Sequence, residues 1–420
     1  MPLFGAVILD FYSQKDHTPF LHDNYGVWSL MFPRFQSLTS KYSFFLFGPR
    51  GTGKSTLLKK KFKKEKSYWI DLLDLTVEEK FSREPNLLYS IVKGLQDEIQ
   101  YVIIDEIQKI PKLLDLVHKL IEETDKIFIL TGSSARKLRH GGANLLAGRA
   151  FVYHLYSLSC FELGDHFNLQ QALEWGTLPK IFSFSEDTDK IQYLRSYSDT
   201  YLREEIWNEH LIRKLDPFRR FLEVAAQSNG KIINYKTIST DVGADPKTIK
   251  EYFSILEDTM LGFFLEPFHN SFRKRLQKSP KFYFFDCGVV RSLSRRLSMS
   301  LLPKTFAYGE AFEHFIILEF IRLAGYFQPD FRFSYIKTQE EVEVDLIVER
   351  PGEKLLCVEI KSSDNVRESD IKSFIKITRD LGEFKNCEAI VLSQDQDVKK
   401  YEHVTCYPWK AGLAKYFPEV

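Results

Sequence analysis

FLFGPRGTGKST, residues 45–56, runs from large apolar side chains through a glycine-rich turn to a lysine and two hydroxyls. Gly48, Gly53, Lys54 and Ser55 satisfy the spacing G-x-x-x-x-G-K-[ST]. The flanks agree with it: YSFFLF (42–47) reads as a buried strand and KSTLLKKKFKKE (54–65) as a helix. Glycines let backbone N–H groups close on phosphate oxygens, and the following helix N-terminus adds partial positive charge. The expected phosphate-binding run is Gly48, Pro49, Arg50, Gly51, Thr52, Gly53, Lys54, Ser55 and Thr56. Lys54 would reach the β- and γ-phosphates of a nucleotide, and the Ser55 hydroxyl would ligate Mg²⁺.

Further along, YVIIDEIQ (101–108) places Asp105 at a strand's C-terminal end, where open α/β sheets bind ligands. Asp105 would hold Mg²⁺ through water, and Glu106 would orient or deprotonate the attacking water. An acidic pair after a strand also serves as a plain helix N-cap. In TGSSARKL (131–138), Ser133 or Ser134 would contact the γ-phosphate or position the water, or the segment is a polar turn. LLAGRAFVYHL (145–155) sets Arg149 before a fifth strand. There it would stabilise transition-state charge in its own or a neighbouring subunit's site, or lie on the surface. The run KKKFKKEK (59–66) complements its helix's C-terminal dipole. Apolar strands at 42–47, 67–73, 101–105, 126–134 and 151–156 alternate with helices, which predicts a parallel sheet covered on both faces.

The chain of 420 residues is too long for one ordinary domain. Hydrophobic residues at 44%, with 36 Phe and 20 Tyr, suffice for several cores. A net charge of +1 excludes a globally basic nucleic-acid binder and leaves room for a local basic face. Cys160, Cys287, Cys357, Cys387 and Cys406 form no CxxC pair, which argues for buried thiols in a reducing compartment. No apolar run reaches the ~20 residues of a membrane span, and the apolar start lacks a basic leader. The expected setting is cytoplasmic, with no membrane partner.

After residue 160 the pattern turns helical. YKTISTDV, a glycine turn, then Asp245 as N-cap and Pro246 at the first helical position have helix-turn-helix spacing. LGFFLEPF and SPKFYFFDCG then alternate like two strands of a wing. The second helix carries Lys247, Thr248 and Lys250, but also Glu251, Glu257 and Asp258. SFRKRLQK, with Arg273, Lys274, Arg275 and Lys278, is the better basic patch for phosphate contacts.

In EVEVDLIV (341–348), alternation puts Val342, Val344, Leu346 and Val348 on one face and Glu341, Glu343 and Asp345 on the other. In LCVEIK (356–361), Cys357, Glu359 and Lys361 share a face, and the turn RPGEK pairs the two strands as a hairpin. Asp345, Glu359 and Lys361 therefore converge. Two carboxylates suit an oxygen-seeking Mg²⁺, and a lysine beside them can stabilise phosphorane charge. Glu313, on an amphipathic helix, adds a third carboxylate. Alternating strands with a wet, charged face show the same pattern.

Together, GPRGTGKST, YVIIDEIQKIP, ILTGSSARKL and LLAGRAFVYHLYSLSCFEL resemble bacterial and archaeal AAA-type ATPases of unknown function. Those carry a winged-helix segment and a C-terminal domain similar to the PD-(D/E)xK nuclease superfamily. YGEAFEHFIILE, EVEVDLIV and CVEIKSS match that domain's three blocks, and the resemblance spans residues from about 30 to 400. It implies ATP and Mg²⁺ at Lys54, Ser55, Asp105 and Glu106. It also implies a nuclease-like centre of Glu313, Asp345, Glu359 and Lys361, with Asp345 and Glu359 toward the metal.

The expected fold is α/β: a P-loop NTPase parallel sheet with helices on both faces, a helical or winged-helix middle, and a C-terminal restriction-endonuclease-like domain. The expected bounds are 1–160, 161–290 and 291–420. The expected function is an Mg²⁺-dependent ATPase coupled to a nuclease-like domain acting on nucleic acid, DNA in preference to RNA, with a homo-oligomer allowed. The alternative is an ATP-dependent switch or DNA-binding regulator whose C-terminal domain only docks partners.

Overall fold

The computed structural model describes residues 20–22, 28–30, 32–133, 146, 148–201, 215–268, 279–338, 341–384 and 386–420. A short antiparallel pair, β1 (Phe20–His22) and β2 (Trp28–Leu30), comes first. The strands β3 (Phe44–Phe47), β4 (Ser67–Asp71), β5 (Tyr101–Asp105), β6 (Ile127–Gly132) and β7 (Phe151–His154) then form one parallel sheet, in the order β4-β5-β6-β3-β7. Strand periodicity divides its side chains cleanly. Phe44, Leu46, Ile103 and Ile129 pack with Leu58 of α1 (Lys54–Lys61). Phe45, Phe47, Val102, Ile104 and Leu130 pack against α2 (Leu75–Arg83), α3 (Leu87–Lys93) and α4 (Leu113–Glu123).

The sequence leads one to expect both faces covered throughout, and the edge departs from this. On β7, Phe151 and Val152 are 49% and 44% exposed, and β7 is the edge strand of the sheet. Helix α1 is also shorter than expected. It stops at Lys61, and a 3₁₀ turn (Lys64–Lys66) leads into β4. Lys59, Lys60 and Lys61 fill its last turn, where cations complement the helix dipole.

The middle of the chain is helical: α5 (Cys160–Leu163), α6 (Leu169–Trp175), α7 (Asp187–Ser196), α8 (Leu215–Gln227), α9 (Tyr235–Val242) and α10 (Pro246–Asp258). Asn234 caps α9, Gly243 at φ 74° ends it, and Asp245 caps α10 by accepting the Thr248 N–H. The strands β8 (Gly262–Pro267) and β9 (Lys281–Phe284) follow as an antiparallel pair, and Ile232 bridges to Lys281 beside them.

That pair does not stand apart as a wing. β8 also pairs in parallel with β10 (Arg332–Lys337), so both strands extend the C-terminal sheet. The eight-stranded order is β14-β15-β13-β12-β11-β10-β8-β9, with β11 (Glu343–Glu349), β12 (Leu355–Lys361), β13 (Cys387–Ser393), β14 (Lys399–Tyr401) and β15 (Val404–Pro408). A boundary at 290 thus runs between elements that share one sheet. The linking helices are α11 (Cys287–Leu293) and α12 (Phe306–Phe327).

The simple alternation expected in EVEVDLIV also fails. Ser334 and Ile336 on β10 face Ile347 and Val344 on β11, so three steps on β11 oppose two on β10. This bulge flips the parity. Leu346 and Val348 pack with α12, whereas Val344 and Ile347 pack on the other face with Phe374 and Ile375 of α13 (Lys372–Phe384). Both faces are therefore buried. The last helix, α14 (Trp409–Tyr416), packs Trp409 and Leu413 on the α12 side.

Candidate functional site

The loop 48–53 leaves the C-terminal end of β3 and enters α1. Gly51 and Gly53 sit at φ 78° and 93°, which side-chain-bearing residues rarely adopt. A Cβ on Gly48 would lie 2.2 Å from the Leu155 carbonyl oxygen. The buried Lys54 ammonium donates to the carbonyls of Gly48 (2.7 Å) and Pro49 (3.3 Å), within the curl of the loop. The Thr52 hydroxyl donates to the Pro49 carbonyl at 2.8 Å and closes the turn.

Ser55 Oγ donates to Asp105 Oδ2 at 2.7 Å, so the two residues expected to hold Mg²⁺ are adjacent. A hydroxyl and a carboxylate are the oxygen donors this ion takes, and the pair fits it. The Thr131 hydroxyl donates to the other Asp105 oxygen and accepts the Glu106 N–H at 3.2 Å. Glu106 occupies left-handed backbone at φ 59° and makes no side-chain capping bond to the turn that follows. Instead its Oε2 accepts from Gln108 Nε2 at 2.5 Å, and the same amide donates to Ser133 Oγ at 3.1 Å. Sequence reading named Ser133 but not Thr131 or Gln108, which hold the acidic pair in place. Ser134 lies outside the described residues.

A cavity of about 340 Å³ opens over this loop, lined by Arg50, Gly51, Gly53, Lys54, Ser55, Thr56 and Glu106. Its other walls come from far along the chain: Phe32, Arg34, Leu158, Pro179 and Lys180. Arg34 is the largest omission of the sequence reading. Its guanidinium donates to the Thr52 carbonyl (2.6 Å), the Tyr156 carbonyl (2.6 Å), Glu162 Oε1 (3.0 Å) and the Tyr326 hydroxyl (3.1 Å). Burial opposes its charge, but Glu162 and Tyr326 more than offset this, and its pKa is raised. The Tyr197 hydroxyl donates to the Arg50 carbonyl at 3.0 Å, so the middle helices also touch the loop.

Arg149 is not brought to this site. Phe151 pairs with Phe44 and His154 with Phe47, so Arg149 precedes β7 at the end of the sheet opposite the loop. Its guanidinium bonds Glu122 Oε1, with Nε at 3.0 Å. The own-site role fails on this geometry.

The second cluster lies in a groove of about 1270 Å³ between β9, the start of α12 and the ends of β11 and β12. Glu313, Asp345 and Lys361 line it, and Glu359 lies buried beside them. Asp345 Oδ2 accepts the Ile360 N–H at 2.8 Å, and Lys361 Nζ pairs with Glu359 Oε1 at 2.7 Å. Glu359 Oε2 is buried without a hydrogen-bond partner. Burial, then Glu359 and Glu313, hold the Asp345 carboxyl well above the usual carboxylate range, while Lys281 pulls the other way. Burial also raises Glu359, against the pull of Lys361.

Sequence reading missed Lys281 on β9. Its side chain is 4% exposed, and its ammonium pairs with Glu313 Oε1 at 3.5 Å and with Glu343. Tyr283, two residues on, donates its hydroxyl to Glu313 Oε1 at 2.8 Å. A lone lysine inside the apolar run KFYFF is the signal that could have flagged it. Among the described residues no group of three His, Cys, Asp or Glu side chains is set to hold a metal. As arranged, the acids of the groove fit an ammonium rather than Mg²⁺. The basic patch Arg273, Lys274, Arg275 and Lys278 lies outside the described residues, and no described helix is long and apolar enough to cross a membrane.

Comparison with known proteins divides the chain in three. Residues 40–164 match the model of an AAA domain, 166–300 a domain of unknown function (DUF8612), and 308–411 a domain of unknown function (DUF4143). An uncharacterized protein of Mycobacterium bovis is 27% identical over 312 residues, covering 73% of this chain and 67% of its own. One from Methanocaldococcus jannaschii is 24% identical over 417 residues, covering 88% and 84%. The Aeropyrum pernix ORC1 protein, solved in complex with DNA, aligns at 12% identity and TM-score 0.26 over 60% of this chain and 86% of its own. A STAND ATPase with a tetratricopeptide repeat sensor from Pyrococcus horikoshii aligns at 17% and 0.20, over 69% and 45%. Those two scores are too low to bear on the overall arrangement. The parallel sheet, the loop between β3 and α1, and the family match over 40–164 make this part of the chain an AAA-type P-loop ATPase domain.

Proposed function

We propose that the chain binds and hydrolyses ATP with Mg²⁺ and uses it to set the state of a nuclease-like groove that takes nucleic acid, DNA in preference to RNA. One observation carries the coupling. Helix α12 presents Tyr326 to Arg34 at the nucleotide loop and Glu313 to the groove. Those residues are 13 positions apart, roughly 20 Å along a helix. A change in how the loop holds Arg34 therefore reaches the acidic centre through one rigid rod.

At the nucleotide, Lys54 and the loop N–H groups bind phosphate, and Ser55 and Asp105 hold the metal. Mg²⁺ so held would offset charge on the phosphates. Glu106, steadied by Gln108, orients the attacking water. Arg149 acts, in this reading, only in a neighbouring subunit of a homo-oligomer. Helices α8 to α10 are, in this reading, the helical part of a winged-helix-like middle whose strands β8 and β9 are built into the C-terminal sheet. Domain bounds of 1–160, 161–290 and 291–420 and a cytoplasmic setting complete the reading, the latter because all five cysteines are free thiols.

The test is a nuclease assay on supercoiled DNA, linear DNA and RNA with Mg²⁺, with and without ATP. Lys54→Ala is expected to abolish ATP hydrolysis, and Lys361→Ala to abolish cleavage. A second reading, a switch whose C-terminal domain only docks partners, is favoured by the pairing of Lys281 with Glu313 and Glu343. Cleavage that is absent under all conditions, beside intact ATP hydrolysis, selects it.

A further inference from the structure

We infer that Lys281 is a built-in counter-ion, carried into the C-terminal acidic centre by the neighbouring module, and that it keeps divalent cations out. The inference concerns the same groove as the proposed function but does not need cleavage. Glu313, Glu343 and Asp345 come from the stretch 308–411, while Lys281 comes from β9 within 166–300. The Lys281 ammonium is buried against Glu313 and Glu343, and the Tyr335 ring lies 5.4 Å from it. Tyr283 from the same strand holds Glu313 in position. Two β9 side chains thus occupy the approach to the acids.

The remaining charge is left short of partners. Glu359 is buried, one of its oxygens bonds Lys361, and the other has no partner. An oxygen atom in that state, beside Asp345, is what a hard cation would use. A buried ammonium between neighbouring carboxylates lowers the site's negative potential and makes a second cation less welcome. β9 is held on both sides, by β8 and by the Ile232 bridge at Lys281 itself, and Phe282, Tyr283 and Phe284 are buried, so the ammonium is a fixed part of the groove.

The experiment is calorimetric titration of Mn²⁺ into the nucleotide-free full chain, comparing wild type with Lys281→Met, Lys281→Arg and Lys281→Met/Glu313→Gln. Lys281→Met is expected to bind Mn²⁺ about tenfold or more tightly. Lys281→Arg should match wild type, and the double variant should lose the gain. Should Lys281→Met fail to fold, as judged by circular dichroism, Lys281→Gln is read in its place. An affinity within twofold of wild type, a weaker one, or a gain that survives Glu313→Gln overturns the inference. The readout is ion binding, so a protein that never cuts nucleic acid leaves it standing.

Discussion

Arg34 joins the phosphate loop, the segment after β7, α5 and α12 through one guanidinium, and all four partners are distant in sequence. Its partners are separated from it by 18 to 292 positions. Glu162 shares the load: its Oε1 also accepts the Phe35 N–H, and its Oε2 the Ser159 N–H. The Glu162 side chain is fully buried, so Arg34→Met leaves its charge uncompensated. The expected loss is about 3–5 kcal/mol in urea denaturation. Arg34→Lys keeps the charge but not the planar fork, and should fall between. A variant as stable as wild type would show that the network is not a structural centre. Lys54 was legible because its meaning is local, a spacing of eight residues. Arg34 was not, since a single cation in a neutral run acquires its role only when the chain folds against it, and Lys281 showed only as a lone lysine heading an apolar run.

Among elements, the helix starts and the five strands of the parallel sheet were readable, and the strand pairing of the C-terminal sheet was not. Caps such as Asn234 and Asp245 act within three residues, which a sequence displays. The β11 bulge depends on β10, and the pairing of β8 with β10 joins residues nearly 70 positions apart, so neither could be read from alternation. One junction shows how tightly the elements meet. Gly176 ends α6 at φ 73°, and a Cβ there would lie 1.9 Å from Asp286 Oδ1. That carboxylate caps α11 through Gly288 and Val289 and also accepts the Thr177 N–H. Gly176→Ala should therefore cost about 2–4 kcal/mol, from left-handed strain and overpacking together. Thermal unfolding would measure it, and an unchanged midpoint would mean the junction relaxes freely.

At the scale of the molecule, α12 is the element that every module grips. Glu319 accepts from Ser159 Oγ (2.8 Å) and the Cys160 N–H (3.1 Å), and Arg322 donates to the Leu158 carbonyl (3.1 Å) and Ser157 Oγ (2.7 Å). These bonds hold the rod rigidly but do not touch the nucleotide loop. Tyr326 does, through Arg34, and its hydroxyl also accepts the Tyr156 N–H at 3.1 Å. If the rod transmits nucleotide state, Tyr326→Phe should break transmission while leaving the ATPase site itself intact. Hydrogen exchange of residues 343–361, with and without a non-hydrolysable ATP analogue, reads this without any nucleic acid. Wild type should change its protection on binding nucleotide, Lys54→Ala should not, and Tyr326→Phe should bind nucleotide yet show little of the change. The cost in stability should stay near 1–3 kcal/mol, that of one orphaned N–H. Equal protection changes in wild type and Tyr326→Phe would place the coupling elsewhere, the Tyr197 contact to the Arg50 carbonyl being one other contact with the loop among the described residues.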